Sequence, residues 1–237
     1  MRMAVAGGTG WVGRLVVGRA REQGHEVVVM SRSAGVDLMT GAGLDEALRG
    51  ADVVIDVANV STLSRRKSVA FFETETRNLL AAEERAGVRH HVLLSIVGVD
   101  RVDSGYYLGK RRQEELALAG PVPVTLLRVT QFHEFAAQML GKVPGPVKVA
   151  PSMLSRPVAA CEVAAELVRL AEGPAQGRVR ELAGPEVLTM ASMMRRLAKG
   201  KLVLTVPAGK AMASGGVLPD GDFRSGEITF EQWAASR

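Results

Sequence analysis

Tyr106 and Lys110 stand at i and i+4, and Ser95 precedes them at the end of the apolar run His90-His91-Val92-Leu93-Leu94-Ser95. On a helix the tyrosine and the lysine share one face. An ammonium beside a phenol favours the phenolate and so lowers the phenol pKa. A phenol tuned in this way can hand a proton to a carbonyl oxygen as hydride arrives, with Ser95 polarising that carbonyl. A Tyr-x-x-x-Lys spacing is common by chance. It gains weight when it follows a serine-ended strand in a fold that holds a hydride donor.

The start of the chain is built to hold one. Met3-Ala4-Val5-Ala6 is an apolar strand, and Gly7-Gly8-Thr9-Gly10-Trp11-Val12-Gly13 follows it into a helix whose apolar positions are Val12, Leu15, Val16 and Ala20. Gly7, Gly10 and Gly13 let the chain turn tightly, bring bare backbone against a pyrophosphate and pack the helix closely on its strand. The helix start then meets the phosphates with N–H groups. The second strand, Glu26 to Met30, runs into Ser31-Arg32-Ser33 without the acidic residue that binds the ribose hydroxyls of NAD. Arg32 can instead meet the 2′-phosphate of NADP, with Ser31 and Ser33 as neutral donors. Asp37 either accepts from the adenine amino group or caps a turn, and Leu38 can lie on the ring. Ala58 and Asn59 end the third strand, where the chain either passes the nicotinamide or simply leaves the sheet. Lys110 can also hold the nicotinamide ribose hydroxyls.

These residues need a scaffold of alternating strands and helices. The patterns predict a helix over 11–23, a strand over 51–57, a helix over 64–86, a helix over 106–119 and a strand over 124–129. Such alternation predicts an α/β fold, a Rossmann-type doubly wound parallel sheet whose ligands gather at the carboxyl ends of the strands. The turn cluster Val143-Pro144-Gly145-Pro146 divides an NADP-binding core, 1–142, from a smaller C-terminal annex, 143–237, interleaved with the core as one structural unit and covering the substrate pocket. The annex is predicted to hold helices over 162–171 and 190–198 and strands over 179–182 and 202–206. Glu162 suits the positive start of its helix.

The chain has 237 residues, 47% of them hydrophobic and 23% charged, which is enough for a substantial core. Thirty basic residues against 25 acidic ones are interleaved along its length, with no basic stripe and no zinc or helix-turn-helix pattern. No nucleic-acid partner is expected; an anionic small ligand suits the charge better. One cysteine and four histidines argue against disulfides and a metal site. No run reaches the ~18 apolar residues that span a bilayer, and no signal peptide is visible, so the expectation is a cytoplasmic protein, monomer or homodimer, without a membrane partner.

The segments GGTGWVG, the Ser-Arg strand end, LLSIVGVD, YYLGK and LRVTQFHEF resemble the atypical short-chain dehydrogenase/reductase superfamily in its NmrA-like NAD(P)H-binding branch, over nearly the whole chain. The resemblance implies cofactor contacts at Gly7, Thr9, Gly10, Trp11, Val12, Gly13 and Arg32, and catalytic assignments at Ser95, Tyr106 and Lys110. Arg128 to Phe135 leaves the last core strand toward the ligand crevice. There Gln131 can bond a polar group of a small-molecule substrate and Phe132 can wall an apolar ring; alternatively Phe132 and Phe135 are helix core. The expected activity is NADPH-dependent reduction of a carbonyl or conjugated enone with Tyr106 as proton donor. Its rivals are an NADP-sensing regulator without turnover and a nucleotide-sugar epimerase-like enzyme.

Overall fold

A computed structural model describes residues 1–62, 64–142 and 144–236. Val143 of the expected turn cluster lies outside them. The chain divides into two compact units, the first formed by Met1–Ser95, Asp103–Arg128 and Val163–Val179, the second by Ile96–Val102, Val129–Glu162 and Arg180–Arg237.

The first unit contains, apart from the strand-end residues Ile96 and Val129, β1 (Arg2–Ala6), α1 (Trp11–Glu22), β2 (Glu26–Met30), a 3-10 turn at Arg32–Ala34, α2 (Leu44–Ala47), β3 (Val53–Asp56), α3 (Arg65–Ala86), β4 (His90–Ile96), α4 (Gly105–Leu118) and β5 (Val124–Val129). Its strands lie in the order β5-β4-β3-β1-β2. β1 pairs in parallel with both β2 and β3, so that Ala4 stands level with Val28 on one side and Val54 on the other, and β3 runs parallel to β4. This is the predicted parallel α/β sheet with flanking helices. Most strands read as unbroken apolar runs because helices cover both faces of such a sheet. Ala4, Met30, Leu44, Val54, Leu79 and Leu80 belong to one buried cluster of this core.

α3 begins where Ser64 accepts the Lys67 N–H at 3.4 Å and ends at Gly87, whose φ of 72° is left-handed. Its inner face buries Phe72, Leu79 and Leu80 together with Glu75, Thr76 and Glu83. That polar content under an apolar face is the feature periodicity alone does not show. The single strand expected over 179–182 is two pieces: Gly177–Arg178 pairs with β5 at Thr125 and Leu126, and Glu181–Ala183 belongs to the second unit.

In the second unit Val129 pairs with Leu182, and Phe223–Ser225 runs parallel to Glu181–Ala183. Val147–Ser152, directly after the turn cluster, is a strand that sequence reading missed; it pairs in parallel with Leu202–Pro207. Its solvent-facing Val147, Pro144 and Pro146 before it and Pro151 within it hide the strand alternation. Glu162 does more than open its helix. Its Oε1 accepts the N–H groups of Glu227 at 2.5 Å and Ile228 at 3.3 Å, tying down the chain before the last helix, Phe230–Ala235. No helix among the described residues is long and apolar enough to cross a membrane.

Candidate cofactor and active site

β1 ends at Ala6 and the glycine turn follows at once. Gly7 has φ of 75°, and a Cβ placed on it would lie 2.9 Å from the Ala58 Cα. A Cβ on Gly13 would lie 2.1 Å from the Gly7 carbonyl oxygen. Only glycine fits both places. Gly10 donates to the Gly7 carbonyl at 2.8 Å and forms the N-cap of α1 without any side chain to cover the first turn. Thr9 and Gly10 are exposed, Trp11 and Val12 half-buried. The turn therefore presents bare backbone and a helix start, which fits a pyrophosphate. Arg14, one turn along, donates back to the Thr9 carbonyl at 2.7 Å and braces the loop.

At the end of β2, Ser31 and Ser33 hydroxyls lie 3.1 Å apart, and Arg32 between them is exposed on the 3-10 turn. Among the described residues Arg32 has no side-chain partner, so its guanidinium is available to a phosphate. Asp37 caps a turn: its Oδ1 accepts the Met39 N–H at 2.8 Å. Leu38 packs on the core, and its carbonyl and that of Met39 both accept from the Asn78 amide, at 2.9 and 3.0 Å. Asn78 thus fixes the loop expected beside the adenine, a role no local signal announced. Ala58 is buried and its N–H donates to Asp56 Oδ1 at 2.9 Å; Asn59 is exposed and its side chain accepts from its neighbour Val60 at 2.9 Å.

Tyr106 sits in the first turn of α4. Its ring meets Phe72 edge-on at 5.8 Å, and its carbonyl accepts from the Ser68 hydroxyl at 3.4 Å. Gly109 permits this approach, since a Cβ there would come within 2.2 Å of the Ser68 Oγ. Burial raises the Tyr106 phenol above its ordinary pKa. The expected lowering by Lys110 is therefore corrected. Lys110 is buried and points elsewhere: its Nζ donates to the Leu94 carbonyl at 2.8 Å and to Gln113 Oε1 at 2.6 Å, and stands 4.7 Å from the Phe72 ring centre. Gln113 in turn donates to Asp56 Oδ2 at 2.9 Å and Glu75 Oε1 at 2.6 Å. Burial, with Asp56 adding repulsion, pushes Glu75 well above the carboxylate range, and its Oε2 is buried with no hydrogen-bond partner among the described residues. Burial lowers the Lys110 pKa, against the pull of Asp56, Glu75 and Glu114.

Ser95 is likewise engaged. Its hydroxyl donates to Glu114 Oε1 at 2.5 Å, and Glu114 is clamped by Arg128 through 2.9 and 2.6 Å bonds, all three residues buried. The hydroxyl proton expected to polarise a substrate carbonyl is held by a carboxylate. Glu114 was legible in principle, because it lies one helical turn beyond Lys110. Its partner Arg128, on another strand, was not. In the second unit Gln131 is buried, with Oε1 accepting from the Ser155 hydroxyl at 3.1 Å, while Phe132 is half-buried and bridges to Val158. His133 meets Phe230 edge-on and Trp233 at a tilt, and bonds the Ile228 carbonyl.

A glycine turn between strand and helix, on a parallel sheet with flanking helices, defines a dinucleotide-binding protein. The family model described as NAD(P)H-binding matches residues 7–172, and the chain belongs to that family. A (4-alkanoyl-5-oxo-2,5-dihydrofuran-3-yl)methyl phosphate reductase of Streptomyces griseus is 30% identical over 216 residues, 82% of this chain and 72% of the relative. A short-chain dehydrogenase/reductase superfamily protein from Agrobacterium tumefaciens with bound NAD superposes with a TM-score of 0.73 at 19% identity, covering 100% of this chain and 95% of the other. An NADPH-dependent quinone oxidoreductase from Escherichia coli complexed with NADPH gives 0.71 at 20% identity, covering 92% of each. The chain is thus an oxidoreductase-type, nicotinamide-cofactor-binding protein with a reductase among its relatives.

Proposed function

We propose that the chain binds NADPH and reduces the carbonyl or conjugated alkene of a small organic molecule, with Tyr106 as proton donor. The observation that carries this reading is the placement of Tyr106 in the first turn of α4, its ring edge-on to Phe72, in the same unit as the glycine cradle. The relative that acts on a dihydrofuranone phosphate, a ring with a conjugated alkene, supports an enone or carbonyl as the reducible group. Arg32 at an acid-free strand end supports NADPH over NADH.

Bound NADPH supplies the hydride; the remaining steps belong to the chain. The glycine turn orients the pyrophosphate, and Arg32 with Ser31 and Ser33 takes the 2′-phosphate. Tyr106 gives its proton to the developing oxyanion or carbanion and recovers one from solvent. With Ser95 donating to Glu114, polarisation of the acceptor falls to the phenol. Lys110 reaches the nicotinamide ribose hydroxyls by exchanging Leu94 or Gln113 for them, keeping Asp56 and Glu75 beside it. Because the phenol pKa lies above its usual value of about 10, kcat/KM is expected to show no phenol-dependent decline below about pH 10.

The test is NADPH consumption against a panel of quinones, aromatic ketones and enones, with products identified. Tyr106→Phe is expected to lower turnover ~10²–10⁴-fold, the usual scale for a general acid, while NADPH still binds and Tyr107→Phe changes little. Full turnover by Tyr106→Phe removes the tyrosine from the mechanism. A second reading has its own support: Ser95 and Lys110 are both engaged in buried bonds, as in a protein that binds cofactor and regulates a partner without turnover. Tight NADPH binding with no consumption across the panel, and a partner that responds to its oxidation state, selects that reading.

A further inference from the structure

Two strands of the second unit carry an apolar face that nothing in the unit covers. Val147–Ser152 and Leu202–Pro207 pair in parallel, with Val147 level with Leu202, Val149 with Leu204 and Pro151 with Val206. Successive side chains of a strand point to opposite faces. One face therefore gathers these six apolar residues, and the other gathers Lys148, Ala150 and Val203. The second face is the inner one: the helix Met190–Leu197 packs against both strands, and Lys148, Ala150 and Val203 are buried. The first is open, with Leu202 58% exposed, Leu204 48%, Val147 40% and Val206 39%. Parallel strands are ordinarily covered on both faces. A contiguous apolar face left in solvent marks a contact surface.

The charge around this face is one-sided. No acid occurs in 135–161 or in 187–219, the two stretches that hold these strands and the helix behind them. Lys142 stands shortly before the first strand, Lys199 and Lys201 directly before the second and Lys210 shortly after it. All four are exposed, and among the described residues none forms an ion pair. Lys199 has a left-handed backbone, φ 48°, just past a helix end where glycine is the usual residue. A lysine is the costlier choice for that backbone, so local structure does not ask for its charge.

We propose that this face docks on an anionic lipid surface, with Val147, Leu202, Leu204 and Val206 set among the headgroups and the four lysines on lipid phosphates. Aliphatic side chains between exposed lysines supply both contributions to interfacial binding, apolar burial and attraction to anionic lipid. Lysine stems lie along apolar surface while their ammonium groups reach outward. A second copy of the chain would bring the same lysines against these, like charge facing like. Protein partners are ordinarily anchored by Trp, Tyr and Arg, and the open face has none of them. The expectation of no membrane partner rests on the absence of a spanning run; the docking face arises instead from strand register, which brings together residues far apart in the chain. It stands independently of the reductase reading.

The test is flotation of the full chain with phosphatidylcholine vesicles and with vesicles that also contain phosphatidylglycerol. Binding to the mixed vesicles is expected to be tighter by at least about tenfold, and added salt should narrow the difference. K199Q/K201Q should weaken it by about fivefold per lysine. L202S/L204S keeps every charge and should weaken it by about tenfold or more through lost apolar burial. Leu118→Ser, at a leucine 43% exposed on α4, should leave it unchanged. Thermal denaturation shows that each variant is folded. Failure of the unaltered chain to bind the mixed vesicles overturns the proposal, as does full binding by L202S/L204S. Unchanged binding by K199Q/K201Q overturns it as well, whatever the leucine variant does. A dimer in sedimentation that L202S/L204S dissolves also overturns it, because a second copy then covers the face.

Discussion

The glycine turn and the trio Ser95, Tyr106 and Lys110 belong to the same unit and are made of different material. The turn is backbone: its shape follows from Gly7 and Gly13, positions where a Cβ would strike Ala58 or the Gly7 carbonyl. The trio is side chain, and two of its three members are held by groups distant in sequence, Ser95 by Glu114 and Lys110 by Leu94 and Gln113. A backbone site can be read from local sequence because its geometry is local. A side-chain site depends on every buried polar group that competes for the same donors and acceptors.

The largest test of this contrast breaks the network under the trio. Arg128→Met leaves the Glu114 carboxylate buried without its main partner and is expected to cost about 3–5 kcal/mol, read by urea denaturation. E114L/R128M should recover much of the loss, since apolar replacements of both partners are often neutral. An Arg128→Met protein as stable as the parent would show that the pair does not organise the unit. Arg32→Ala is next: it removes the exposed guanidinium at the end of β2 and should weaken NADPH binding by about 1.5–3 kcal/mol, the scale of a hydrogen bond to a charged group, with NADH almost unchanged. Equal affinity of the unaltered chain for both cofactors would sink the phosphate role. Gly13→Ala forces the turn apart and should weaken both cofactors alike, by about 1–3 kcal/mol as overpacking does. Unchanged binding to a folded Gly13→Ala protein would mean that the glycines do not shape the cradle.

The smallest expected effect concerns Glu75. Its folded pKa is raised, so its contribution to stability is fully present below the ordinary glutamate value of about 4.3 and is lost as pH rises through the folded value. Glu75→Gln keeps an acceptor for Gln113 and removes the titration. It should be more stable than the parent at pH 8 by about 1 kcal/mol, roughly 2–4 °C in Tm for a chain of this size, and the gap should close by about pH 4. A gap independent of pH would show that Glu75 is ionised in the folded protein.

The fold was legible from periodicity because β1 to β5 are largely apolar runs separated by helices, and strands β2 and β5 fall on their expected residues. Val147–Ser152 was not, because its burial alternates only partly, two prolines precede it and Pro151 lies within it. In the site, the turn Gly7 to Gly13 and the free Arg32 stand where local pattern put them. The lowered phenol of Tyr106 does not: i and i+4 spacing places Lys110 on the right helix face, but the buried acceptors Leu94 and Gln113 draw its ammonium away and the phenol is left to burial.

The sequence by itself determined the alternation of strands and helices, the glycine turn, the acid-free end of β2 and the positions of the three candidate catalytic side chains, since each depends on residues close together in the chain. Only the tertiary structure decided what those side chains bond to. Glu114 meets Arg128, Gln113 meets Asp56 and Glu75, and Asn78 meets the loop at Leu38 and Met39. These pairings join residues far apart in sequence, and a buried polar group must take whichever partner the packed chain brings within reach.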